Sequence, residues 1–239
     1  MIWYILLFLL IFLIRPFVEN VTVSRTLSER KKVQFYREQF LAYLVVLVVF
    51  IFIVTRFHIP LVELGWKGVY LDTVRESKAF PSLVKFLLMV GFVFFILLSF
   101  GIQWMKDHGE SIFEKEELPK SVEVTFPDTL KEKQWWFAFV GLSSIVEGVV
   151  YVPYCIYFFV HVLHIHNSWL LSLGTAVVYF SSQLAFKRDR LSIQTFLVGA
   201  YLAGVYIVTE SVLILVLFFA LSFLVYDVYQ QDRELKAAS

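Results

Sequence analysis

Seven stretches of this chain are apolar over roughly the length a helix needs to cross a bilayer, and they restrict the fold before any single residue is considered. They fall at approximately 1–18, 39–56, 84–105, 135–163, 168–186, 191–209 and 211–228. A hydrocarbon core about 30 Å thick is crossed by roughly 20 apolar helical residues. Inside it every backbone amide must be satisfied, which leaves helices and closed barrels as the spanning forms. Composition agrees, with 59% hydrophobic and 17% charged residues, where soluble domains hold about 25% charged. The expected fold is an all-α polytopic membrane bundle of about seven transmembrane helices. The first stretch carries no basic residue before Arg15, the reverse of a signal peptide's charge order, and reads as a retained anchor whose end Pro16 bends.

Basic residues set the expected orientation. Six lie between Arg15 and Arg37, five between Lys106 and Lys133, three in Lys187–Arg190 and two in the tail at Arg233 and Lys236. These segments alternate onto one side of seven spans. The other side holds only Arg56, Lys67, Arg75, Lys78 and Lys85. The positive-inside rule then puts the N-terminus outside and the C-terminus in the cytoplasm. Three units are expected: residues 1–38 as an anchor helix and basic linker, 39–133 as the second and third spans with their loops, and 134–239 as a core of four spans and a short tail.

Net charge is +1, which removes the electrostatic attraction that nucleic-acid binding depends on. The single cysteine, Cys155, allows no intrachain disulfide and no cysteine-based metal cluster. No cofactor is expected. Thr26-Leu27-Ser28-Glu29 has capping-box spacing and precedes the basic, aromatic run to Arg37, which reads as a short helix on the cytoplasmic surface in contact with membrane lipids. Residues 57–83, with Pro60, Gly65, Gly68 and Pro81, read as an external connection. Trp135 and Trp136 read as interfacial anchors.

The fourth stretch is anomalous. From Gln134 to Phe186 the only formally charged side chain is Glu147. A carboxylate at that depth costs about 2.5–3.5 kcal/mol on insertion scales unless protonated, paired or hydrated, so it requires a partner. Gln183 and Gln194 on the following spans are candidates. Pro153, six residues on, is expected to kink the helix and free carbonyls near the carboxyl group. His161, His164 and His166 cluster at the external end of this span. They are weak candidates for metal ligands, because no acidic residue adjoins them in sequence. Glu210 reads as an exposed turn residue and Asp227 as a solvated one. Gly199, Ala200, Ala203 and Gly204 would let the sixth stretch approach a neighbour closely.

Laid along the chain, Phe35-Tyr36-Arg37, Leu61 to Trp66, Leu118-Pro119 and Glu132 to Ala138, with the connection Thr195 to Ser211, resemble the CPBP or Abi family. These are bacterial homologues of the CAAX prenyl endopeptidase, a group of glutamate-type intramembrane proteases. The resemblance implies a bacterial inner membrane location. Its first motif, EExxxR, falls on Glu147, with Gly148 in place of the second Glu and Val152 in place of Arg. The second, an aromatic followed four residues on by His, falls on Tyr179 and Gln183. The third, His-xxx-Asn or His-xxx-Asp, falls on Phe219 and Phe223. In the resembled mechanism a Glu, helped by a His, activates water while a polar pair stabilises the oxyanion. Here Glu147 remains as the lone base, and losing one oxyanion donor costs roughly 10²–10³ in rate.

The pattern implies a pseudoprotease that binds, protects or regulates a membrane-protein or peptide partner. An active or altered peptidase built on Glu147 is the alternative. A small proton-coupled carrier is a third reading, weakened by the absence of an internal repeat.

Overall fold

The computed structural model describes residues 2–14, 32–68, 74, 76–107, 127–183 and 193–222. Among them every regular element is helical. Helix α1 (Ile2–Leu9) runs into a π-helical turn, Leu10–Ile14. Helix α2 is Lys32–Arg56, followed by a 3-10 turn at Leu61–Leu64 and by α3, Ser82–Asp107. Helix α4 (Leu130–Val146) continues through a second π-helical turn, Glu147–Tyr151, into α5 (Val152–His161). Helices α6 (Ser168–Gln183), α7 (Ile193–Thr209) and α8 (Val212–Ser222) complete the described chain. Three of these stretches, Lys32–Arg56, Ser82–Ile102 and Leu130–His161, are long and apolar enough to cross a membrane.

Helices α2 and α4–α5 form the axis of the bundle, and they run parallel. Lys32 Nζ meets Asp128 Oδ2 at 2.5 Å just before α4, Tyr36 stacks on Phe139, and Phe50 stands edge-on to Tyr154 with centroids 6.2 Å apart. Both helices therefore start on the same side. Helix α4 opens with a capping box: Thr129 Oγ accepts from the Glu132 amide, and the Glu132 carboxylate accepts from the Thr129 amide. The spacing Thr129-Leu130-Lys131-Glu132 was as legible in the sequence as the one at Thr26, which lies outside the described residues.

Two expectations are corrected here. The predicted surface helix is, from Lys32 on, the opening of α2, continuous across the boundary drawn at residue 38. No helix breaker lies between Lys32 and Gln39, and continuing the helix buries Phe35 and Tyr36 against Trp136 and Val140. Those aromatics belong to the bundle core. Trp136, expected as an interfacial anchor, is only 4% exposed in the same cluster. Trp135 keeps a partly exposed position, with the Arg37 guanidinium 5.4 Å from its ring centroid.

Helix α1 lies along α5, where Tyr154 donates to the Tyr4 carbonyl at 2.8 Å and Phe8 stacks on Phe158 at 4.3 Å. Helices α6 and α7 pack through Gly199, whose added Cβ would stand 3.1 Å from Ala176 Cα, and Ser172 donates to the Ala200 carbonyl. The small residues of α7 thus serve two internal neighbours, since Gly204 faces Leu88 of α3. Helix α3 is held from the same side by Tyr201, which donates to the Leu88 carbonyl at 3.1 Å.

The connection after α2 docks on the turn between α7 and α8. Gly65 adopts φ 77°, a left-handed conformation that glycine takes without Cβ strain. Its carbonyl accepts from the Val212 amide at 2.9 Å, and Ser211 donates to the Lys67 carbonyl at 2.8 Å. Lys67 and Glu210 form an ion pair across the same junction, so Glu210 is the exposed turn residue expected of it.

Candidate intramembrane site

Glu147 is buried at the first residue of the second π-helical turn. Pro153 explains the turn: it has no amide to donate, and its ring clashes with the carbonyl four residues back in a regular helix. Widening the preceding turn by one residue relieves that clash, so the expected kink takes the form of a π-helical insertion. The turn lets Glu147 face α2, where Tyr43 donates from its hydroxyl to Glu147 Oε1 at 2.6 Å.

Tyr43 was not identified from sequence, although a signal was present. Between Glu38 and Thr55 the only residues with polar side-chain atoms are Gln39 and Tyr43, four apart and therefore on one helical face. The proposed partners Gln183 and Gln194 have side chains outside the described residues. Below Glu147 on α4, Ser143 and Ser144 are buried, and both donate to the Val140 carbonyl at 2.9 Å. Gln39 is 1% exposed, and its Oε1 is a buried acceptor with no hydrogen-bond partner among the described residues.

The positions aligned with the protease motifs are packed as apolar structure. Gly148 abuts α8: a Cβ there would stand 2.7 Å from both the backbone N and Cγ2 of Val216 and 2.8 Å from its Cα. A glutamate cannot enter without separating the two helices. Val152 is 1% exposed, and Phe219, one turn beyond Val216, is buried and edge-on to Phe218. Tyr179 is partly buried against Gly199 of α7. Phe223 and the side chain of Gln183 lie outside the described residues. The π-helical turn that starts at Glu147 is thus pressed at Gly148 against the middle of α8, the helix that carries Phe219.

The histidines stand apart from this region. His161 ends α5, stacks on Tyr157 at 4.2 Å and has Glu63 Oε2 3.7 Å from Nε2. That acidic neighbour comes from the 3-10 turn and was invisible to a search along the local sequence. His164 sits in a left-handed turn at φ 56°. His166 is exposed before Asn167, whose side chain caps α6 through the amides of Trp169 and Leu170. Among the described residues no group of three or more His, Cys, Asp or Glu side chains converges as a metal site would require. Compared with protein families, curated proteins and solved structures, the chain matches none.

Proposed function

We propose that this chain is a catalytically silent membrane protein of CPBP type, a pseudoprotease that binds, protects or regulates a membrane-protein or peptide partner in a bacterial inner membrane. In this reading it spans the membrane seven times, with the N-terminus outside and the C-terminus cytoplasmic. The three long apolar helices and the four shorter ones, Ile2–Phe12, Ser168–Ser181, Thr195–Thr209 and Val212–Ser222, support that count. The parallel course of α2 and α4 supports the alternation of the basic loops.

The observation that carries the silent reading is the contact of Gly148 with Val216. A hydrolytic site needs room for water and the scissile peptide beside its base. Here the residue following Glu147 is pressed against the backbone of α8, and Val152 and Phe219 are buried without polar atoms. Glu147 itself accepts a hydrogen bond from Tyr43.

The test is photo-cross-linking in native membranes with wild type and Glu147→Gln, followed by sizing of whatever is captured. Glutamine keeps the acceptor for Tyr43, so the same partner at full length and equal yield is expected from both. A partner that appears truncated with wild type and intact with Glu147→Gln would establish proteolysis and overturn the proposal.

A further inference from the structure

We infer that the groove between the starts of α2 and α4 binds one anionic phospholipid, its phosphate held by Arg37 and Lys131 beside Trp135 and an acyl chain laid along the apolar strips that follow. The inference rests on the membrane-spanning reading above and is independent of whether the Glu147 site is silent.

The carboxylates at this end of the bundle are committed elsewhere. Asp128 pairs with Lys32, the Glu132 carboxylate accepts from the Asp128 and Thr129 amides, and Glu38 accepts from Gln34. None of the residues three or four positions from Arg37, where a helical ion pair would form, is acidic. Around Lys131 the only acid at that spacing is Asp128, the partner of Lys32. Among the described residues neither Arg37 nor Lys131 forms an ion pair, and both are exposed. Lys131 also stands in the first turn of α4, where the helix dipole disfavours a cation. Two positive charges are thus left for a ligand.

One ring gathers them. The Arg37 guanidinium lies 5.4 Å from the Trp135 ring centroid. Lys131 is one turn before Trp135 on the same face of α4, and helical side chains lean back toward the N-terminus, which sets the indole over that turn. Trp135 stands edge-on to Phe40 of α2 with centroids 6.4 Å apart, so the two rings close the seam between the helices. Beyond them the groove is apolar. Leu44 and Ile51 continue the Arg37 face at helical spacing, Ala138 and Ile145 continue that of Lys131, and all four are exposed.

A guanidinium and an ammonium beside a tryptophan at headgroup depth suit a phosphodiester, and the strips suit a chain attached to it. A zwitterionic headgroup would bring an ammonium to carboxylates that are already engaged. A soluble phosphate would leave the strips uncovered. A lipid of net negative charge satisfies both halves of the groove.

The test uses full-length protein in mild detergent, titrated with dioleoyl phosphatidylglycerol, dioleoyl phosphatidylcholine or soluble glycerol phosphate, with retained ligand read by native mass spectrometry. One phosphatidylglycerol per chain is expected at concentrations where the other two are not retained. Arg37→Gln and Lys131→Gln should each weaken retention about fivefold, and the double variant about 25-fold. Arg56→Gln removes the same charge at the far end of α2 and should bind as wild type does. Equal retention of the two lipids by wild type, or an Arg56→Gln loss as large as that of the groove variants, overturns the inference. Retention of glycerol phosphate as strong as that of the lipid would assign the groove to free phosphate and overturn it too. The titration needs no partner protein, so its result stands apart from the cross-linking outcome above.

Discussion

Helix α3 and the α4–α5 helix are both long and apolar, yet they occupy opposite environments. Within its most apolar window, Ser82–Ile102 has 11% of its residues buried by the rest of the chain and Leu130–His161 has 78%. The order of mean hydropathy is the reverse, 2.6 for the outer helix and 1.6 for the inner one. In water the more apolar helix would be the core. In lipid no hydrophobic force drives helices together, so the bundle interior goes to the helix with small and polar side chains that can pack and hydrogen-bond. Gly148, Ser143, Ser144 and Glu147 make α4 such a helix, while the exposed Leu83, Phe86, Phe94 and Leu97 suit α3 to face acyl chains.

The contrast is broken most severely at Gly148. Gly148→Ala puts a Cβ into the backbone of Val216, and overpacking of this kind costs about 1–3 kcal/mol. A lower melting temperature and a loss of monodisperse protein on size exclusion are expected. Gly148→Glu should not yield folded protein at all. A well-folded Gly148→Glu variant would show that α4 and α8 are free to separate.

A smaller effect is expected at Tyr43. Removing its hydroxyl in Tyr43→Phe deletes the bond to Glu147, and intramembrane hydrogen bonds are worth about 0.6 kcal/mol on average and up to about 1.7. A fall in melting temperature of a few degrees, measured by tryptophan fluorescence, is the expected outcome. The double variant Tyr43→Phe with Glu147→Leu should fall by less than the sum of the two singles, because each single removes the same hydrogen bond. Strict additivity would mean that the pair is not coupled. The smallest effect belongs to the outer helix, where Phe94→Leu should change stability by no more than about 0.5 kcal/mol in the same assay. A larger loss there would indicate that something other than lipid covers α3.

The helical class and the positions of the long apolar stretches were legible in the sequence because length and hydropathy are local properties. Which face of each helix turns inward was not. Phe35, Tyr36 and Trp136 look like interfacial aromatics until α2 and α4 are laid side by side, and only then do they become one core cluster. Glu147 was recognised because a charge in an apolar run is conspicuous, and its need for a partner followed from the cost of burying it. The partner was missed because Tyr43 is an ordinary aromatic in an apolar helix until its register against α4 is known. Gly148 was legible as a departure from a motif, but the close approach that requires a glycine is made by a helix almost seventy residues further on, at Val216.

The separation of Tyr43 from Glu147 has a consequence for biosynthesis. A ribosome adding about 5–20 residues per second needs roughly 5 to 20 s to make the 104 residues between them. Throughout that interval Tyr43 lacks the carboxylate to which it donates in the finished bundle. Asp128 and Trp136 arrive before Glu147 and meet Lys32 and Phe35, so the axis closes from the start of α2 toward its middle, and the Tyr43–Glu147 bond follows once that end is in place.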